Sequence, residues 1–397
     1  MIYRRFGRTE LQMPVFSCGG MRYQHKWQDV PLDQVPEENQ QNLAATIHRA
    51  VEVGVNHIET ARGYGSSERQ LGLVLPKLPR EKLIVQTKVG PREDADTFGR
   101  DVEESLERLQ LDYVDLLGLH GINNHETLQH TIRPGGCLAK ARQLQKRALV
   151  RHVGFSTHAN PQTILQAIRH ERDGGFDYVN LHWYYIYQRN WPAVEDATRR
   201  DMGVFIISPS DKGGMLYKPS DKLVELCRPL HPIVFNDVFC LSRSEVHTLS
   251  VGAARPSDFD RHLEALPLLG RAAELLPPII ARLEAAVREK TGWELDRPFK
   301  LDLPEWEEAP GQINIQIMLW LRNLALAYDM TEYGQMRYNL LGNGGHWFPG
   351  FSAEKIDEVD LSPVAQQAGL DERLETLLRQ THSLLAKDKV KRLSAGE

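Results

Sequence analysis

Four side chains able to handle a proton fall just past successive apolar runs of the sequence. Glu59 is the next-to-last residue of VNHIET, Lys88 ends VQTK and His120 ends LLGLH, while Tyr64 lies five residues beyond Glu59 in a loop marked by Gly63 and Gly65. Together these types can deliver a proton to a carbonyl oxygen. A free tyrosine, with a pKa of about 10, is a poor acid at neutral pH. An adjacent ammonium favours the phenolate and lowers that value, and a carboxylate keeps the ammonium charged and oriented. A histidine can hydrogen-bond the developing alkoxide and help position the carbonyl. No side chain supplies a hydride, so reduction at such a site calls for a cofactor. Singly, each residue has an ordinary explanation, because strand-end lysines extend to solvent and most lone histidines are structural. The chemistry depends on a fold that brings the four together.

Apolar runs that read as strands begin near Val55, Leu83, Tyr113, Val150, Tyr178, Val204 and Val246, with an eighth in PVFSCGG before them. Between them lie amphipathic stretches such as NLAATIHRAVEVG, FGRDVEESLERLQ and PQTILQAIRHE. Successive strand starts are 26 to 42 residues apart, room for one strand, one helix and two loops, so the pattern is a βα repeat. Eight such units predict an α/β fold, a closed (β/α)8 TIM barrel over residues 1–270. An open doubly wound sheet would want a G-x-G-x-x-G turn, and the nearest stretch, Gly63 to Glu68, has glutamate at the third glycine position. In a barrel the functional face is the rim at the C-terminal strand ends, where Glu59, Lys88 and His120 fall. Residues 271–397 read as a helical C-terminal extension. It has helices over 271–290 and 312–330, a break at GNGGHWFPG and a last amphipathic helix in ERLETLLRQTHSLLAK. Met318, Leu319 and Trp320 read as core of that unit.

Composition removes several functional classes. Of the 397 residues, 41% are hydrophobic and 25% charged, a globular balance that excludes a disordered chain. The net charge of −5 gives no basic surplus for nucleic acid or anionic lipid. No apolar run approaches the roughly 18 residues of a membrane span. The N-terminal MIYRRFGRTELQMP lacks the apolar stretch of a secretory signal, so a cytoplasmic location is expected. Cys18, Cys137, Cys227 and Cys240 form no C-x-x-C pair and fit a reducing compartment. His125 and His130 are five apart, about 140° around a helix, so with Glu126 they make no zinc motif and no metal is expected.

In order along the chain, YRRFGRTELQMP, HIETARGYGSSE, VQTKVG and LDYVDLLGLH resemble the motifs of the aldo-keto reductase superfamily, over residues 1–265. The resemblance implies a barrel that binds NADP(H) without a Rossmann fold and reduces an aldehyde or ketone to an alcohol. It makes Tyr64 the general acid and carries the family's lysine and histidine onto Lys88 and His120. The family's usual aspartate is replaced by Glu59, whose extra methylene moves the carboxylate by about 1.5 Å. The expectation is that Glu59 keeps the aspartate's role.

By position in that resemblance, Ser156 and Thr157 of GFSTH and Asn180 of YVNLHW fall on the nicotinamide amide. ISPSDKGGML places Ser208, Ser210, Lys212 and Gly213 near the pyrophosphate, with Ile207 where the family often stacks an aromatic ring. SVGAARPSDFDRHLEA resembles the segment at the adenosine end. Gly252 and Arg255 fit it, Arg261 and His262 replace a common Glu-Asn pair, and Asp258 stands where many members carry an arginine for the 2′-phosphate. Arg255 or Arg261 is then expected to pair with that phosphate. NADP(H) is the expected cofactor and NAD(H) its alternative. Ser257 and Asp260 read as a capping box.

The wording of ETARGYGSSE and ISPSDKGG is similar to a bacterial branch with a C-terminal extension, whose members often carry iron–sulfur cysteines there. The corresponding stretch here has no cysteine, so no iron–sulfur cluster is expected. A small-molecule carbonyl substrate would lie between Met21, Tyr23 and Trp27 on one side and Trp183 and Tyr184 on the other. The cluster Trp183, Tyr184, Tyr185, Tyr187 and Trp191 fits packing beneath the extension equally well. Glu59, Ile207 and the cluster-free extension keep a rival open, a nicotinamide-binding sensor or partner subunit with vestigial catalysis. The sequence sets neither the substrate nor the oligomeric state.

Overall fold

A computed structural model of the chain describes residues 1–342 and 347–386. Two short strands, β1 (Tyr3–Arg5) and β2 (Gln12–Pro14), pair antiparallel with Arg4 opposite Met13. Eight parallel strands follow: β3 (Phe16–Gly19), β4 (His57–Glu59), β5 (Ile84–Val89), β6 (Val114–His120), β7 (Val150–Ser156), β8 (Tyr178–Leu181), β9 (Gly203–Ile206) and β10 (Thr248–Val251). They close into a barrel, with Ser250 of β10 opposite Ser17 of β3. This is the (β/α)8 TIM barrel that the alternation predicts.

Helices form where apolar residues recur at helical spacing. In Ala95–Leu109 the buried Phe98, Val102, Leu106 and Leu109 make one stripe against the barrel. Asp94 caps its start by accepting from the backbone N–H groups of Asp96 and Thr97, and Gln110 ends it in the left-handed region. The expected capping box at Ser257 is not formed. Ser257 already has helical backbone angles (φ −70°, ψ −13°), so its hydroxyl makes no cap bond, and the following helix runs Asp258–Leu263. The Asp258 carboxylate instead accepts from the Ala254 N–H at 2.8 Å.

The opening hairpin has no counterpart in the sequence reading, because three-residue strands carry too little periodicity to register. It brings Phe6 against Tyr178 (5.7 Å between ring centres) and beside Ile84, Leu116 and Phe205. Tyr178 and Ile84 open their strands, so this small core plugs the N-terminal end of the barrel, opposite the functional rim.

Beyond the barrel the chain is helical: Ala272–Thr291, Ile315–Tyr328, Thr331–Tyr338, Ser362–Gln367 and Arg373–Leu385. Ile315–Tyr328 is the buried centre of this part, with Met318, Leu319 and Trp320 fully enclosed. The Trp320 indole donates to the Ile186 carbonyl at 2.8 Å, tying this helix to the loop after β8. The segment expected to run to 330 stops at Asp329 (φ +55°), and a separate helix follows that the sequence pattern does not announce. Residues 343–346 of the expected break and Lys387 of the last expected helix lie outside the described residues. All four cysteines are buried and free. Among the described residues no helix is long and apolar enough to cross a membrane, and no group of three His, Cys, Asp or Glu could hold a metal ion.

Candidate active site

Three adjacent strands carry three of the four proton-handling residues, and register aligns them. Glu59 ends β4, with Gln86 of β5 as its neighbour in register; Lys88 of β5 sits beside Gly118 of β6, and His120 ends β6. A methyl group on Gly118 would come within 2.8 Å of the Lys88 Cγ, so the bare glycine is what lets the lysine stem lie inside the barrel. Tyr64 follows β4 in the loop closed by Gly65 (φ +53°), where any Cβ would collide with the Lys26 carbonyl. Loop 21–36 therefore rests directly on the tyrosine loop.

The four side chains converge. Lys88 Nζ contacts a Glu59 carboxylate oxygen, donates to the Thr60 carbonyl at 2.8 Å and lies 4.8 Å from the centre of the Tyr64 ring. The Tyr64 ring stands edge-on to His120 at 5.5 Å and 83°. Burial pushes the Tyr64 phenol up, and this outweighs the lowering expected from the ammonium, because water that would stabilise a phenolate is gone. Burial likewise pushes Lys88 well down. His120 is pushed down to about 3, first by burial and then by the charges of Lys88 and Lys212. At neutral pH the site holds a protonated phenol beside a neutral imidazole.

These residues line a cavity of about 200 Å³ at the C-terminal rim. Ser156, Ser208, Ser210, Lys212, Gly252 and Trp27 line it with them, as does Ile207. Other expected contacts sit behind its wall. Thr157 donates its hydroxyl to the Ile122 carbonyl at 2.7 Å, and Gly213 makes the tight turn after Ser208, where a Cβ would meet the Pro209 carbonyl. Asn180 is fully buried next to Ser156 in register.

Six expected residues lie away from the cavity. Arg255 is exposed and turned to Asp258 at 3.4 Å, and Arg261 pairs with Glu264 at 3.0 Å, so neither faces the cavity. His262 is enclosed, its Nδ1 2.5 Å from Asp237 Oδ2 and its Nε2 3.0 Å from the Tyr217 hydroxyl, so it props the wall from behind. Tyr23 is buried in the main core. Trp183 packs on Trp191 and Phe239 at 4.8 and 5.1 Å, and the Tyr184 hydroxyl meets His182 Nδ1 at 2.5 Å. After β8 the chain turns, with Tyr184 and Tyr187 paired backbone to backbone and the Tyr187 ring 5.5 Å from Trp320 of Ile315–Tyr328.

Several cavity residues escaped the sequence reading, Arg22 and His158 among them. Arg22 follows Gly19 and Gly20 past β3; its guanidinium covers the Tyr217 ring at 4.4 Å, donates to the Gly252 carbonyl at 2.5 Å and lies 3.5 Å from Asp258. His158 comes two residues after the end of β7. The available signal was position alone: a basic or imidazole side chain within three residues of a barrel strand's C-terminal end.

The aldo/keto reductase family model matches residues 16–211. L-Galactose dehydrogenase of Arabidopsis thaliana is 41% identical over 90 residues, 20% of this chain and 28% of that protein. Aldo-keto reductase AFTS1 of Alternaria alternata is 26% identical over 282 residues, 59% of this chain and 72% of its own. The chain thus spans under a third of the first relative's length and nearly three quarters of the second's. A solved aldo-keto reductase from Bacillus halodurans superposes with a TM-score of 0.59 at 20% identity, covering 71% of this chain and 96% of its own. The family match covers β3 to β9, and together these matches support membership of the aldo-keto reductase superfamily, whose members are nicotinamide-dependent oxidoreductases.

Proposed function

We propose that the protein is an NAD(P)H-dependent reductase that converts an aldehyde or ketone to an alcohol, with Tyr64 as the general acid. The observation that carries this reading is the meeting of Tyr64, Lys88, Glu59 and His120 at one enclosed cavity. The residues present also fit a nicotinamide group. Directly behind Ser156, Asn180 is fully buried with both its amide oxygen and its amide nitrogen lacking a protein partner, an unsatisfied donor and acceptor of the kind a carboxamide pairs with. Ser156 beside it opens onto the cavity.

When bound, that group supplies the hydride that the side chains cannot. The neutral imidazole of His120 then directs a ring N–H at the carbonyl oxygen and sets its angle toward Tyr64. The phenol, held protonated by burial, gives its proton as negative charge develops on that oxygen. The phenolate left behind is stabilised by the Lys88 ammonium, whose charge Glu59 in turn sustains in a dry site. The trio is arranged for charge that exists only at the end of the transfer.

Tyr64→Phe tests this directly. It removes the proton donor and no packing, so reduction of an accepted aldehyde should fall by about 10³-fold or more while nicotinamide affinity is kept. Reduction at the wild-type rate would defeat the mechanism. Nicotinamide binding without turnover by the wild-type protein on a broad aldehyde panel would favour the sensor reading instead.

A further inference from the structure

We infer that Arg337, supplied by the C-terminal extension, is a positioning residue for the cofactor: it neutralises the Asp211 carboxylate on the cavity wall, so that the loop after β9 accepts the pyrophosphate of a nicotinamide dinucleotide. The inference rests on the reading that this cavity takes such a cofactor, and it makes the extension part of the site.

The loop after β9 is a compact turn. The N–H groups of Lys212 and Gly213 donate to the Ser208 carbonyl at 3.0 and 3.3 Å. The Met215 N–H donates to the Asp211 carbonyl at 2.8 Å, and the Leu216 N–H to the Ser210 carbonyl at 2.7 Å. Ser208, Ser210 and Asp211 line the cavity together. With its backbone held this way, Asp211 has little freedom to leave the wall. Its side chain is only 12% exposed, so water screens its charge poorly and a pyrophosphate arriving beside it would be repelled.

The helix Thr331–Tyr338 of the extension supplies the opposite charge. Tyr333 and Arg337 are four residues apart and share one helical face, and both are buried. That face meets two consecutive residues of the loop. The Tyr333 hydroxyl donates to the Lys212 carbonyl at 2.6 Å, and Arg337 Nη2 lies 3.2 Å from Asp211 Oδ1. Arg337 is 1% exposed, with its guanidinium 5.4 Å from the Tyr333 ring centre and 5.6 Å from that of Trp347. Among the described residues neither Arg337 nor Asp211 has another ion-pair partner. Arg337 Nε and Nη2 make no hydrogen bond there, so the contact acts through charge rather than through a bidentate fork. A buried pair of this kind adds little net stability over apolar residues of the same volume, whereas its effect on the wall is to cancel a charge that faces the cofactor.

The test measures NADH affinity by calorimetry on the full chain. Arg337→Met strips Asp211 of its counter-charge and should weaken binding by about tenfold or more, while Arg337→Lys, which keeps the charge, should stay within about threefold of wild type. Combining Arg337→Met with Asp211→Asn removes both charges, and affinity should return to within about threefold of wild type. An arginine that only docks the extension would not be rescued by the second substitution. Wild-type affinity in Arg337→Met, or a double variant as weak as the single one, overturns this proposal and leaves the cofactor reading standing. Absence of NADH binding by wild type defeats the cofactor reading and the proposal with it. If Arg337→Met does not fold, as circular dichroism would show, the double variant strands no charge and decides alone: wild-type affinity supports the proposal, and binding about tenfold weaker overturns it.

Discussion

The Glu59 carboxylate meets the Lys88 ammonium inside the barrel, so the longer acidic side chain completes the ion pair that its position implies. Both groups are almost fully enclosed, at 4% and 1% exposure. Removing one member of such a pair strands the other charge in a low dielectric, at a cost of about 3–5 kcal/mol. Glu59→Ala is therefore expected to lower unfolding stability by that amount. It should also cut kcat by about 10²-fold or more, because Lys88, already pushed down by burial, would lose its proton and could no longer stabilise a phenolate. Denaturant unfolding and turnover on one aldehyde check both effects. Unchanged turnover would remove Glu59 from the mechanism.

His120 and stability against pH form the second prediction. The folded-state pKa is pushed down to about 3 from an ordinary 6.5. Below pH 6.5 the unfolded chain takes up a proton at this position and the folded chain does not until about pH 3, so stability falls as pH drops through that window. The contribution is about 1.4 kcal/mol per pH unit in the middle of it. His57, likewise pushed down to about 3 by burial and then by Lys88, adds a similar slope. His120→Gln should flatten the acid limb of a denaturation series by about that amount. An unaltered slope would mean that the imidazole titrates normally in the folded protein.

We expect cofactor preference to turn on Asp258. With Arg255 and Arg261 turned from the cavity, Arg22 is the guanidinium that lines it, 3.5 Å from the Asp258 carboxylate, which also accepts from the Ala254 N–H. A 2′-phosphate arriving there would meet a like charge, so NADH should bind at least as tightly as NADPH, against the expectation from sequence. Asp258→Asn removes the repulsion and frees Arg22, and NADPH affinity should rise by about tenfold with NADH little changed. Tryptophan-quenching titrations in matched salt measure this. A wild-type preference for NADPH that survives the substitution would show that the phosphate is held elsewhere.

These expectations separate what sequence can carry from what it cannot. The eight barrel strands were legible because each is a buried apolar run followed by a helical stripe, and the repeat leaves few alternative topologies. Glu59, Lys88 and His120 were legible because strand ends in a barrel all point to one rim. Trp183 and Tyr184 also follow a strand end, yet Trp183 packs on Trp191 and Phe239 and the Tyr184 hydroxyl meets His182, contacts that the local pattern does not announce. Arg255 and Arg261 turn from the cavity toward short-range partners, Asp258 and Glu264. Local pattern reports the element, and long-range packing decides which way its last side chains face.

The opposite end of the barrel gives a control for stability without chemistry. Phe6 fills the space beneath Tyr178 and Phe205, far from the rim, and is fully enclosed. Phe6→Ala should cost about 3–5 kcal/mol by opening a cavity there, while nicotinamide affinity of the folded protein stays within about twofold, since nothing at the rim moves. A matching loss of affinity would mean that the plug and the rim are mechanically coupled.

Gly118 supplies the sharpest geometric test. Its missing side chain leaves room for Lys88, and a Cβ there would lie 2.8 Å from the lysine Cγ, a contact that one side or the other must relieve. Because β6 is fixed by pairing on both edges, the lysine stem must give way. Moving it shifts the ammonium from both Glu59 and the Tyr64 ring. Gly118→Ala is expected to cut kcat by about 10²-fold, a fall as large as a misplacement of 1 Å can produce, with Km for the carbonyl compound changed much less. The substitution adds one methyl group and removes no catalytic atom. A variant that keeps wild-type kcat would therefore show that the position of Lys88 is not what the rate depends on.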